Sequence, residues 1–272
     1  MAGKTFMTNP LSFATSPILE IEAGVATITL NRPAQRNRLN NEDLKTLLAH
    51  FETINEDASV RVMKLTASTK DQPKPVFCAG YDIGEFDAST ANAVAFEAVP
   101  DALAHVRPVT ICALNGSVYG GATDLALACD LRIGLEGIEW RMPATALGLH
   151  YYPSGLQRYL SRFGVLATQR AFLTGRPFTW QQLEKIGLFE AFCNESNWHA
   201  HLDSLTKDIW ALAPMAVQET KKSLNEIIEN RSDLETLRAR EELTSQSEDF
   251  AEGRRAFMER RAPKFGTHGK LT

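Results

Sequence analysis

Residues 115–134 read NGSVYGGATDLALACDLRIG. An apolar run, Val109 to Leu114, precedes them and reads as a buried strand, because apolar and β-branched residues fill it and Asn115-Gly116 ends it. A helix is expected from about Gly120, with good helix formers from Ala122 to Cys129. The paired glycines, Gly120 and Gly121, allow a tight turn and a close backbone approach to a ligand. The free N–H groups that open such a helix favour an anion. Asp124 falls within the first turn, so oxyanion donors and an acid/base candidate would stand within one turn of each other. That pairing points to enolate chemistry. The plainer alternative is a close-packing contact with Asp124 as a partner of the helix dipole.

Upstream, ILEIEAGVATITLNRP, from Ile18, alternates apolar and polar residues around Ala23-Gly24 and reads as a hairpin that Pro33 terminates. A basic loop, Arg36-Asn37-Arg38, leads to Asn40 or Asn41 as the cap of a helix with Leu44, Leu47, Leu48, Phe51 and Ile54 on one face. Val60 to Ala67 then reads as a buried strand. The order β–α–β implies a right-handed crossover and a parallel sheet covered by helices. Gly80 breaks the short apolar run from Val76, so Ala79 and Gly80 form a second place where a backbone N–H can face a ligand. Residues 84–106 read as helical segments. Downstream, Leu131 to Leu135 is a strand, and the loop from Met142 to Gly155 is rich in Gly, Pro and aromatic residues, the composition of a pocket-lining loop. Leu156 to Phe163, Leu166 to Phe172 and a stretch from Thr179 toward Gly187 read as helical, and three further helices are expected over 200–212, 216–229 and 234–245. A division into an arm (1–16), a core (17–198) and a helical C-terminal region (199–272) follows from the change in composition near 198.

The totals narrow the function. A formal net charge of −4 over 272 residues disfavours a nucleic-acid or anionic-membrane binder. The four cysteines are widely spaced without a CxxC, which points to reduced thiols and no metal site. No secretory h-region and no long apolar run are present, so a cytoplasmic protein without a membrane span is expected.

Several ordered segments together resemble the crotonase superfamily, the enoyl-CoA hydratase/isomerase family: Leu30 to Pro33, Phe77 to Ile83, Ala113 to Gly116 with Gly120-Gly121, Leu125 to Asp130, Gly155 to Arg158, Leu173 to Gly175, and Glu252 to Arg261. The resemblance runs from about Ile18 to Phe265. It implies an α/β fold, a spiral of β–β–α turns followed by a helical trimerisation region, assembled as a homotrimer or a dimer of trimers. It implies an acyl-CoA thioester substrate and no cofactor beyond the coenzyme A the substrate carries. The backbone N–H groups of Ala79 and Gly121 would form the oxyanion hole, with Asp124 as acid/base aided by Tyr152 or Tyr151. Arg36, Arg38, Cys78, Tyr81, Gly120 and Phe265 would contact the substrate, Phe265 near the nucleotide of a neighbouring subunit. Family hydratases carry a second glutamate where this chain has Ala144. That departure keeps two alternatives open: a decarboxylase of a malonyl-type CoA ester, and a non-catalytic CoA-ester or RNA-binding relative. Tyr81, Tyr119, Trp140, Tyr151 and Tyr152 suggest an aromatic-lined acyl pocket.

Overall fold

Strand β2 (Val25–Leu30) buries every second residue, Ala26, Ile28 and Leu30, as the alternating sequence requires. The computed structural model describes residues 16–85 and 94–266. β2 pairs antiparallel with β1 (Ile18–Glu22) and parallel with β3 (Val62–Ala67). The helix between them, α1 (Asn41–Glu56), opens on a capping box in which Asn40 and Asp43 satisfy each other's backbone N–H. Its buried face is Leu44, Leu47, Phe51 and Ile54.

The chain then winds. β3 lies in one sheet and β4 (Val76–Cys78) in another; after α2 (Ala98–Ala104), β5 (Val109–Leu114) returns to the first and β6 (Ser117–Tyr119) to the second. Following α3 (Gly121–Ala128), β7 (Leu131–Leu135) and β8 (Glu139–Arg141) repeat the step. α4 (Pro153–Arg158) runs into a π-helical turn, and α5 (Val165–Thr174), β9 (Phe178–Thr179), α6 (Trp180–Ile186) and β10 (Ala191–Cys193) complete the sheets. The result is one sheet ordered β1-β2-β3-β5-β7-β10 and another ordered β4-β6-β8-β9, a spiral with one strand per sheet in each turn. The short strands of the second sheet lay outside the expected elements.

Beyond β10 the described chain is helical: α7 (Trp198–Trp210), α8 (Pro214–Ile228), α9 (Leu234–Ser245) and α10 (Glu248–Glu259). α10 was not anticipated. α7 is not separate from the core, because Trp198, Leu202 and Ile209 pack on Val62, Ile111 and Ile133 and cover a face of the large sheet. The compositional change near 198 therefore does not coincide with a packing boundary. Asp130 ties α8 to the sheet, accepting from the Thr110 N–H and hydroxyl and from Lys221 Nζ at 2.6 Å. Except for Ser16, the arm expected over 1–16 lies outside the described residues. Among the described residues no helix is long and apolar enough to cross a membrane.

Parallel pairing of β4 with β6, Val76 opposite Ser117 and Cys78 opposite Val118, brings the segments that follow both strands out at one end. Gly80 and Gly121 meet there. A Cβ on Gly80 would lie 3.4 Å from the Gly121 nitrogen and 2.9 Å from the Tyr119 carbonyl oxygen, and Gly80 has φ +97°. Both the space and the backbone conformation require glycine.

Candidate active site

A cavity of about 440 Å³ opens beside this junction, walled by residues 79–81, Gly120, Gly121 and the loop 142–153. Its chemistry depends on which groups reach it. The Gly121 N–H stands in the first turn of α3, whose partial positive charge faces the cavity. Ala79 lines the cavity, but its N–H donates to the Arg36 carbonyl at 2.9 Å. This corrects the assignment of Ala79 as an oxyanion donor: the loop 36–39 runs alongside residues 79–82 as an extra strand and takes that hydrogen. Across the parallel bridge of Leu39 with Tyr81, Leu39 donates to Gly80 and Asp82 donates to Leu39. In parallel pairing the flanking residues make those bonds, so the Tyr81 N–H points away from Leu39.

Asp124 does not line the cavity. It is fully buried, with one oxygen 3.0 Å from Arg158 Nε and the other 2.7 Å from Arg158 Nη2. The second oxygen also accepts from the Tyr152 hydroxyl at 2.5 Å. Tyr151 in turn donates to Tyr152 at 3.0 Å. The two rings stack, with centroids 4.2 Å apart. Arg158 reaches onward to Asp101 at 2.7 Å. A chain of polar groups thus leads from the cavity wall through Tyr152 to Asp124, Arg158 and Asp101. Burial and then the Asp124 charge push the Tyr152 phenol far above its usual range, and the same causes raise Tyr151. Both phenols are therefore protonated at neutral pH. Burial lowers Arg158, but its bonds to Asp124 and Asp101 more than offset this and hold it above the ordinary guanidinium value.

The other expected contacts divide. Tyr81 and Gly120 line the cavity, Tyr81 also donating to Asn41 Oδ1 at 2.7 Å. Cys78 does not, which corrects its assignment: it is buried, its Sγ donates to the Asn37 carbonyl at 2.9 Å, and burial pushes the thiol up to about 12. Arg36 is exposed, its guanidinium over the Tyr119 ring at 5.4 Å, and Arg38 pairs with Asp82 at 3.0 Å; neither lines the cavity. Phe265 lies against Gly253 of α10 and lines a groove between C-terminal helices. Trp140 is fully buried against Phe163, so it and Tyr119 are not part of the acyl-pocket wall. Sequence reasoning missed Phe96, whose ring borders the cavity 5.5 Å from that of Tyr81. It also missed the part played by Arg158. A lone arginine closing the short helix α4 was the available signal. Among the described residues no cluster of His, Cys, Asp and Glu could hold a metal ion.

The profile of the enoyl-CoA hydratase/isomerase family matches residues 20–268. A mouse protein named enoyl-CoA hydratase domain-containing protein 2, mitochondrial, is 31% identical over 270 residues, 92% of this chain and 89% of that one. The 2,3-dehydroadipyl-CoA hydratase of Escherichia coli is 28% identical over 91% of this chain and 97% of its own. The crystal structure of an enoyl-CoA hydratase from Bacillus anthracis superposes with a TM-score of 0.81 at 27% identity, covering 93% of this chain and all (100%) of that one.

Proposed function

The chain belongs to the enoyl-CoA hydratase/isomerase family, and from that premise we propose that it moves a proton at the α-carbon of an acyl-CoA thioester, using Tyr152 backed by Asp124. The observation that carries this reading is the 2.5 Å hydrogen bond from Tyr152, on the cavity wall, to the buried carboxylate. Tyr152 donates its own proton to Asp124 and accepts one from Tyr151, so an oxygen lone pair is left for a substrate hydrogen. As the α-proton passes to the Tyr152 oxygen, the phenolic proton passes to Asp124, and the C–H electron pair enters the thioester as an enolate. The relay never requires a free phenolate, which the raised phenol disfavours. The Gly121 N–H supports the enolate oxygen. A donor of this kind contributes about 3 kcal/mol to the transition state, because the charge it meets develops only there.

One relay suits double-bond migration better than hydration. Migration takes a proton from one carbon and returns it to another, whereas hydration must also place and activate water. Ala144 supplies no carboxylate for that task. The test is hydrogen exchange at the α-carbon in D2O, followed by mass spectrometry on a panel of 2-enoyl-, 3-enoyl- and dienoyl-CoA esters. Tyr152→Phe and Asp124→Asn are each expected to slow exchange about 100-fold, the ordinary worth of a positioned acid/base group. Unchanged exchange in both variants would remove the relay.

A second reading draws on Arg158, which already occupies two positions on the Asp124 carboxylate. Decarboxylation of a malonyl-type CoA ester needs enolate stabilisation but no base. Carbon dioxide release that survives Asp124→Asn and fails in Tyr151→Phe would support it.

A further inference from the structure

We infer that the acyl group held in this cavity ends in a compact, uncharged ring, an aryl or cycloalkenyl group, and that Phe96 sets this preference. The inference rests on the acyl-CoA reading above and concerns the end of the acyl group away from the thioester.

The first support is the wall itself. Tyr81, Phe96, Tyr151 and Tyr152 present rings to one space, with centroids 5.5 Å apart for Tyr81 and Phe96 and 6.3 Å for Phe96 and Tyr152. Aromatic faces and edges at such spacings favour a flat ring over a flexible chain, by roughly 0.5–1.5 kcal/mol for each pair. Behind this wall Tyr151 is backed by Tyr159 and Phe172, at 6.4 and 5.4 Å, so the side beyond the tyrosines is filled by packed rings.

Position is the second. A Cβ on Gly121 would lie 2.6 Å from Phe96 Cζ, so the Phe96 ring rests directly on the residue whose N–H faces the cavity. An acyl group with its carbonyl at that N–H has the Phe96 ring among its neighbouring walls. Phe96 is thus placed to select the part of the acyl group beyond its carbonyl.

The third support is charge. Among the described residues no lysine or arginine lines the cavity. Among the described residues the wall's one imidazole, His150, is exposed, so a terminal carboxylate inside, such as the one a dehydroadipyl group carries, would lose its hydration with no lysine or arginine to pair with. Burying an unpaired charge carries a large penalty.

The experiment uses the full-length protein and unreactive thioether analogues of coenzyme A bearing cinnamyl, crotyl, linear ten-carbon and adipyl groups, titrated by calorimetry, alongside turnover of the matching unsaturated thioesters. The cinnamyl analogue should bind about tenfold tighter than the crotyl one and about a hundredfold tighter than the adipyl one. Phe96→Ala should narrow the cinnamyl-over-crotyl ratio to about twofold. Equal or tighter binding of the adipyl or ten-carbon analogue would overturn the inference, as would a ratio unchanged by Phe96→Ala. The expected binding order without turnover of any thioester would uphold the inference and defeat the enzymatic reading. Failure of every analogue to bind would defeat both.

Discussion

Asp124 is the residue with most at stake, because a buried carboxylate is tolerable only while its partners hold. Arg158, itself 7% exposed, supplies two of them. Removing one member of such a pair leaves a charge with neither water nor counter-ion. Arg158→Met should therefore lower the unfolding free energy by about 3–5 kcal/mol, measured by urea denaturation. Adding Asp124→Leu should recover much of that loss, because the stranded charge goes with it. A cost below about 1 kcal/mol for the single variant would mean that water reaches the pair. The second prediction at this scale concerns alkaline pH. Cys78 has an ordinary value of 9.0 raised to about 12 by burial, so the unfolded chain gives up this proton first. Native and unfolded states bind it equally below about pH 9. Above that, stability falls by up to about 1.4 kcal/mol per pH unit for each such thiol, until the native group also titrates near 12. Tyr151, Tyr152 and Tyr159, all pushed up mainly by burial, steepen the decline further. Thermal melts from pH 8 to 11 should show a steadily falling midpoint that Cys78→Ala makes shallower.

At the scale of elements, the turn between β5 and β6 sets the distance between the two halves of the site. A Cβ on Gly116 would come within 2.6 Å of the Phe77 nitrogen and 2.7 Å of the Pro75 carbonyl carbon, both backbone atoms of the neighbouring turn of the spiral. Backbone cannot swing aside as a side chain can. Gly116→Ala should therefore push β4 from β6, cost about 1–3 kcal/mol, and weaken binding of CoA esters through the displaced Gly80 and Gly121. Calorimetry with the crotyl analogue would check it, and unaltered affinity would show that the junction is held from elsewhere. Helix α3 illustrates the same dependence. Its sequence favours a helix and puts Asp124 in the first turn, but the pairing of β4 with β6 aims that turn at Gly80.

For the whole molecule, the C-terminal helices leave apolar surface uncovered. Leu224 and Ile227 on α8 are 54% and 50% exposed, and Phe257 and Met258 on α10 are 86% and 73% exposed. Apolar patches of this extent mark contact surfaces. The family resemblance implies a homotrimer or a dimer of trimers of this 30.1 kDa chain, so a mass of about 90 or about 180 kDa is expected by light scattering. Ile227→Asp combined with Phe257→Asp should shift that mass toward the single chain. A wild type that runs as a monomer at micromolar concentration would refute the expectation.

Much of this was legible in the residues. Period-two runs, Pro33, the Ala23-Gly24 turn and the Asn40 cap reflect preferences that act over a few residues, so the sequence by itself determined the hairpin, α1, the long parallel strands and the helix after Gly121. It also marked Gly80 as a break in its short apolar run and the loop 142–155 as part of a pocket. What only the tertiary structure decided was how groups far apart in the chain share their hydrogen bonds. Asp124 and Arg158 are 34 residues apart, and Cys78 and Asn37 are 41 apart. The donation of Ala79 to Arg36, like the seat of Phe96 on Gly121, depends on which turns of the spiral lie side by side. Local periodicity assigns a residue to a face. It cannot say which distant partner that face will meet, because the partner is chosen by the register between strands and by the packing that closes over them.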